Sequence, residues 1–381
     1  MYSIQGHGNM IADGVRSDAY LRALQASVRP GSVVVDIGTG TGFFAILACR
    51  LGARRVIAIE SSDMIEVARR IAQANGCADR IDFIHASSTA VDCPERVDVV
   101  VSDLHGVLPF FQGHLVAMMD ARERFLAPRG TMIPARESLW VACVEAPELH
   151  SPVTTPWSDN KYGLDMHAAR ALAANQWRRA VVQRDQLVTV PAGCGTLDYA
   201  SIASPDFDST VELEAAREAE SHGFCLWFDS TLAPGVEFSN APGAPGLIYG
   251  NAFFPWPEAV PLARGDRIEL RLRARLMRGE YLWTWETRVM RGTTQVASFR
   301  QSDFFGEPLA AGKVRRHSST HVAKLGEAGR IDALVLGLMQ QDLALGEIAH
   351  RLVAAFPGRF ARWQDALTRV AELSQRYGEA E

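Results

Sequence analysis

The stretch Val33-Val34-Val35-Asp36-Ile37-Gly38-Thr39-Gly40-Thr41-Gly42 decides the reading of this sequence. A largely apolar run of strand length meets three glycines at alternate positions. Glycine lets the backbone turn sharply and approach a ligand closely. A helix is predicted directly after, over 42–51. Working outward, Arg55-Val56-Ile57-Ala58-Ile59-Glu60 reads as a second buried strand, Ile81-Asp82-Phe83-Ile84 as a third and Val97-Asp98-Val99-Val100-Val101 as a fourth. Helices are predicted over 16–27, 63–75 and 113–125, the second opened by the N-cap chemistry of Ser61-Ser62-Asp63. Strands alternating with helices make a parallel sheet covered on both faces.

The glycine spacing is G-x-G-x-G, whereas the dinucleotide fingerprint is G-x-G-x-x-G. Asp36 precedes the turn, where it would repel a pyrophosphate but can receive an ammonium group. Glu60 ends the second strand, where a carboxylate can accept both hydroxyls of a ribose. These features favour S-adenosylmethionine (AdoMet), with S-adenosylhomocysteine (AdoHcy) as its product, over a nicotinamide. Ser61, Ser88 and Ser102 are further cofactor-side candidates beside Gly38 and Gly40.

The pattern changes after Pro134. Residues 137–146 and 186–300 show short alternating strands, such as Ile268-Glu269-Leu270-Arg271-Leu272, which suggests an antiparallel sandwich or barrel. Residues 152–183 read as helical, most clearly from Met166 to Arg179, and 231–257 as Pro/Gly-rich loops. From about 328 three helices are expected: Ile331–Met339, Leu345–Ala355 and Arg362–Tyr377. The expected domains are 1–134 (Rossmann-like), 135–327 (antiparallel sandwich or barrel with the helical stretch 152–183) and 328–381 (all-α, resembling a helix-turn-helix).

The segment His7-Gly8-Asn9-Met10-Ile11-Ala12-Asp13-Gly14-Val15-Arg16-Ser17-Asp18-Ala19-Tyr20 resembles the H-x-x-M-L-x-D-x-x-R-x-x-x-Y signature of protein arginine methyltransferases, with Ile11 for Leu. The resemblance spans about residues 2–300. It implies that His7, Met10 and Arg16 lie at the cofactor, with Arg16 on the AdoMet carboxylate and Met10 beside the sulfonium. It also implies a Rossmann-like domain, a β-barrel and a helical arm that joins a homodimer; Tyr162-Gly163-Leu164-Asp165-Met166 resembles the start of that arm.

The acceptor loop departs from the family. Its pattern S-E-x-M-G-Y followed by a second Glu becomes Ser102-Asp103-Leu104-His105-Gly106-Val107, then Gln112. The first carboxylate is one methylene shorter and the second is a neutral amide. A buried guanidinium needs compensating negative charge. The Thr-His-Trp motif is replaced by Leu247-Ile248-Tyr249. The expected acceptor is therefore a specialised peptide or small molecule. His105 is the candidate base, with its unperturbed pKa near neutrality; Asp103 orients it or meets the substrate, and Gln112 hydrogen-bonds a neutral acceptor. His114 is a second, weaker histidine. Alternatives are genuine protein arginine methylation and a non-catalytic AdoMet-binding scaffold.

Composition excludes other classes. The net charge is −5 and no basic run is present, which argues against nucleic acid. Six cysteines form no C-x-x-C pair and have no His at zinc spacing, so no metal site is expected. The sequence shows no signal peptide and no apolar run of membrane-span length, and a cytoplasmic protein is expected.

Overall fold

The computed structural model describes residues 3–93 and 95–379, and they form two compact units divided between Pro308 and Leu309. The first unit opens with two helices, α1 (Ile4–Ala12) and α2 (Gly14–Ser27). Ser3 caps α1 by accepting from the Gly6 amide, and Asp13 caps α2 by accepting from the Arg16 amide. The strands β1 (Val33–Ile37), β2 (Arg55–Glu60), β3 (Ile81–His85), β4 (Val97–Ser102) and β5 (Leu126–Ile133) make a parallel sheet in the order β3-β2-β1-β4-β5. Helices α3 (Phe43–Arg50), α4 (Met64–Ala74) and α5 (His114–Arg124) connect them. Every residue of β1 is buried, as expected of a central parallel strand. The order turns around at β1 and β4, and in open α/β sheets ligands bind outside the strand ends at such a point. The expected helices and strands are present. Helix α1 and strand β5 extend beyond what the sequence pattern showed.

Two antiparallel sheets complete the first unit. One contains β6 (Arg136–Val144), β7 (Arg178–Ala180), β8 (Ala192–Asp198), β10 (Ala219–Ala233), β11 (Val236–Ser239) and β12 (Asn251–Leu262). The other contains β9 (Phe207–Glu214), β13 (Arg267–Met277), β14 (Glu280–Arg291) and β15 (Thr294–Ser302). Alternation is clean in β13, where Ile268, Leu270, Leu272 and Ala274 are buried between exposed or half-buried residues. Trp283 and Trp285 of β14 are buried against Phe254, so that aromatic face is core.

The expected continuous helix over 152–183 is not one element. It consists of α6 (Pro147–Ser158) and α7 (His167–Ala173), followed by strand β7, which pairs with Asn251–Phe253. Strand pairing overrides the local helical preference there. Likewise 231–257 is only partly loop, since β11 and the start of β12 lie within it.

The second unit starts at Leu309, ahead of the expected 328, because it includes the short helix α8 (Ala311–Arg316). Its three longer helices are α9 (Glu327–Met339), α10 (Leu345–Ala355) and α11 (Trp363–Tyr377). They bury Ile331, Val335, Ile348, Leu352, Val370 and Leu373 in a separate core. Arg369 pairs with Asp332 across the helices. Among the described residues no helix is long and apolar enough to cross a membrane.

Candidate active site

The turn after β1 is fixed by its own backbone. The amides of Gly38 and Thr39 both donate to Ile59 O, at 2.8 and 3.0 Å. Gly38, Gly40 and Gly42 hold φ of 71°, 54° and 80°, conformations open mainly to glycine. A Cβ on Gly38 would collide with Leu104, and one on Gly40 would lie 2.7 Å from His7 Cε1. Beyond this turn lies a cavity of about 300 Å³. Its lining includes His7, Met10, Arg16, Gly38, Gly40, Glu60, Ser61, Asp103 and Gln112. A second cavity, of about 250 Å³, shares Gly38, Glu60, Ser61 and Gln112 with it and adds Ser88 and His114.

Glu60 projects from the end of β2. Its Oε2 accepts from the Gly40 amide at 3.0 Å and its Oε1 from the Ser62 amide at 2.9 Å. Each oxygen keeps a lone pair for a further donor. The carboxylate is thus held at the mouth of the glycine turn, where a ribose would present its hydroxyls.

Two expected cofactor residues stand elsewhere. Asp36 does not line either cavity: its Oδ2 accepts from Thr39 Oγ1 at 2.6 Å and from the Ala45 amide at 3.0 Å. It works on the turn and the start of α3. Burial pushes its pKa up to about 7 against those hydrogen bonds. Its Oδ1 is buried without a hydrogen-bond partner, which leaves one acceptor for a donor the protein does not supply. Ser102 is fully buried and donates to Ile37 O at 3.0 Å, so it ties β4 to β1. Its position at the end of a central strand turns it into the sheet.

Arg16 and Asp103 are an ion pair, both more than nine-tenths buried. Tyr249 completes the group: its hydroxyl donates to Asp103 Oδ1 at 2.8 Å and accepts from Arg16 Nε at 3.1 Å. Arg16 also donates to Met10 O at 3.1 Å and lies over the rings of Tyr20 and Phe44. Burial acts to lower the Arg16 pKa, but Asp103 and Tyr249 outweigh it and raise it, so the guanidinium stays charged. Asp103 therefore faces Arg16 and Tyr249; the expectation that it orients His105 is corrected.

His105 also stands away from both cavities. It is fully buried, with Nε2 2.7 Å from Glu137 Oε1 on β6. Tyr199 donates to Glu137 Oε2 at 2.6 Å, and Ser230 donates to Oε1 at 3.3 Å. His114 Nε2 is 2.9 Å from the Tyr199 hydroxyl. The phenol's single proton is committed to Glu137, so His114 is the donor. Burial acts to lower the His105 pKa, but Glu137 outweighs it and raises it; burial and His105 hold His114 well below the usual value. A base in this position cannot reach a ligand in the cavities. Two residues further along the loop from Asp103, the side chain turns into the seam with β6 and β10. Ligand atoms of His105, His114 and Glu137 lie within 4.8 Å of one another. Sequence spacing did not show this group, because its members come from distant segments. Gln112 lines both cavities with φ of 45°, a left-handed conformation that is strained for a residue with a Cβ.

A third cavity, of about 330 Å³, is lined by Met10, Gly106, Val107, Phe111, Trp177, Arg179, Ile248 and Tyr249. It shares Met10 and Phe111 with the first. Sequence reasoning missed Trp177 and Arg179, which lie in the segment expected to be helical.

Comparison with known proteins finds relatives for both parts of the first unit. Residues 18–134 match the ribosomal protein L11 methyltransferase family, and 135–279 match the arginine methyltransferase oligomerization subdomain. Probable protein arginine N-methyltransferase 6 of Arabidopsis thaliana is 31% identical over 248 residues, covering 63% of this chain and 55% of that one. Thus the chain spans about half the length of that relative. Protein arginine N-methyltransferase 1 of Dictyostelium discoideum is 30% identical over 270 residues, covering 69% of this chain and 79% of that one. The fold is similar to that of the Trypanosoma brucei PRMT1 enzyme-prozyme heterotetrameric complex with AdoHcy, with a TM-score of 0.72 at 24% identity, covering 78% and 96% of the two chains. Arabidopsis thaliana protein arginine methyltransferase 10 gives 0.69 at 21% identity, covering 79% and 97%.

Proposed function

The chain belongs to the protein arginine methyltransferase family, and from that membership and its cavities we propose that it is an AdoMet-dependent methyltransferase acting on a specialised acceptor rather than ordinary protein arginine. The residues present fit AdoMet. Glu60 offers free lone pairs at the glycine turn, and Gly38 and Gly40 leave room that a Cβ would take. Arg16 is the cation for the amino-acid carboxylate, and Met10 is a soft neighbour for a sulfonium. When bound, AdoMet would supply an electrophilic methyl group on positive sulfur to the acceptor's lone pair, AdoHcy leaving with the C–S electron pair and the acceptor's proton passing to solvent. The protein's part is to hold the acceptor in line with the methyl group.

The observation that carries the acceptor reading is the commitment of Asp103 to Arg16 and Tyr249, beside a neutral Gln112. Where the family pattern has two carboxylates for a guanidinium, this loop has one, already paired. The second reading, protein arginine N-methylation, is supported by the relatives, which are named for it. Methyl-labelled AdoMet and an arginine-rich peptide separate the two. The first reading expects no label in the peptide from a protein that binds AdoHcy; labelled arginine establishes the second.

A homodimer through the segment between α6 and α7 belongs to the same proposal. It is supported by the oligomerization-subdomain match and by exposed Tyr162, Leu164 and Met166. Sedimentation is expected to give twice the 41.7 kDa chain mass, and the monomer mass for Tyr162→Glu/Leu164→Glu. A wild-type monomer would contradict it.

A further inference from the structure

The cavity beside the cofactor site has a chemistry of its own, and this inference rests on the methyltransferase reading. It is lined by the aromatic residues Phe111, Trp177 and Tyr249 with the aliphatic Val107 and Ile248. Arg179 is the one charged side chain among the residues lining it. Arg179 is anchored by its neighbours: Nε donates to Tyr249 O at 3.0 Å and Nη2 to Ile248 O at 2.8 Å. Two carbonyls fix the orientation of the guanidinium without neutralising it. Among the described residues no carboxylate pairs with Arg179 within 4.0 Å, whereas Arg271 of β13 pairs with Asp208 and Arg288 of β14 with Glu269.

The nearby carboxylates are engaged. Asp103 serves Arg16 and Tyr249, and Asp13 accepts from the Ile248 and Arg16 amides. An acceptor bearing a guanidinium would meet a like charge at Arg179 and apolar walls without a counter-ion. An acceptor bearing a carboxylate would gain charge-assisted hydrogen bonds from the guanidinium edge that the carbonyls leave open. A flat ring is matched by the three aromatic walls. Met10 and Phe111 are common to this cavity and the cofactor cavity, so a ligand held here abuts the cofactor.

We propose that this cavity is the acceptor site for an aromatic carboxylate, with Arg179 as the residue that binds its anionic group and Trp177 and Tyr249 as the walls that orient its ring.

The test uses the full chain saturated with AdoHcy, titrated calorimetrically with indole-3-acetate and with the neutral isostere indole-3-acetamide. The carboxylate is expected to bind at least about tenfold more tightly than the amide, a difference that shrinks with added salt. Arg179→Met is expected to abolish the preference, and Arg179→Lys to restore part of it, which loss of a merely structural staple would not do. AdoHcy affinity, titrated into each variant before saturation, shows that each variant is folded. Equal affinity for the two probes, or binding of neither while AdoHcy binds, overturns this proposal alone. Failure of wild type to bind AdoHcy overturns the methyltransferase reading beneath it.

Discussion

Replacing Arg16 by Met is expected to destabilise the first unit by about 3–5 kcal/mol, because it leaves the Asp103 carboxylate buried without its cation. The double variant Arg16→Met/Asp103→Leu is expected to recover all but about 1–2 kcal/mol, since both charges are gone and the residual loss is the Tyr249 hydroxyl without its acceptor. Denaturant unfolding of the four members of the cycle measures the coupling. A double variant destabilised by the sum of the two single variants' losses would show that the pair is not coupled. The cycle also bears on function. Under the proposed function the same guanidinium serves Asp103 and the carboxylate of AdoMet. Both variants should then lose cofactor affinity, while only the single one loses fold stability on this scale. A stable protein without cofactor binding separates the two roles of Arg16.

How much of this was legible in the sequence depends on how far apart the partners lie. The strand, glycine turn and helix from Val33 to Arg50 are local, and alternation of apolar runs with glycine sufficed to place them. Glu60 was legible because a parallel strand must return to the same edge of the sheet as β1. Arg16 and Met10 were legible only through a family resemblance, since a single Arg on a helix has no periodic signal. The group formed by Arg16, Asp103 and Tyr249 was not readable: Tyr249 is 233 residues from Arg16 and 146 from Asp103. The same holds for His105, whose partner Glu137 comes from another sheet. A loop histidine beside an acidic residue suggests a base. The fold turned it into the interior instead, because β6 offers a buried carboxylate there. Arg179 was misread for a related reason. Its segment has helical composition, but three residues pair with the edge of β12 and present the side chain to the cavity.

Glu60 carries the second large effect. Its carboxylate is fixed by the Gly40 and Ser62 amides and remains able to accept from two hydroxyls. Under the proposed function Glu60→Ala removes both ribose contacts, and it leaves those amides to water at a partly exposed site. Hydrogen bonds to charged groups are worth about 1.5–3 kcal/mol each, so losing the pair is expected to weaken AdoHcy binding by at least about 100-fold. Asp103 and Arg16 are untouched, so the fold should tolerate the change. The measurement that tests the central claim most directly is therefore calorimetric titration of AdoHcy into wild type and Glu60→Ala. The account predicts saturable one-to-one binding to wild type and none detectable at the same concentrations for the variant. Absence of binding to wild type, or equal binding to both, would contradict the assignment of this cavity to AdoMet.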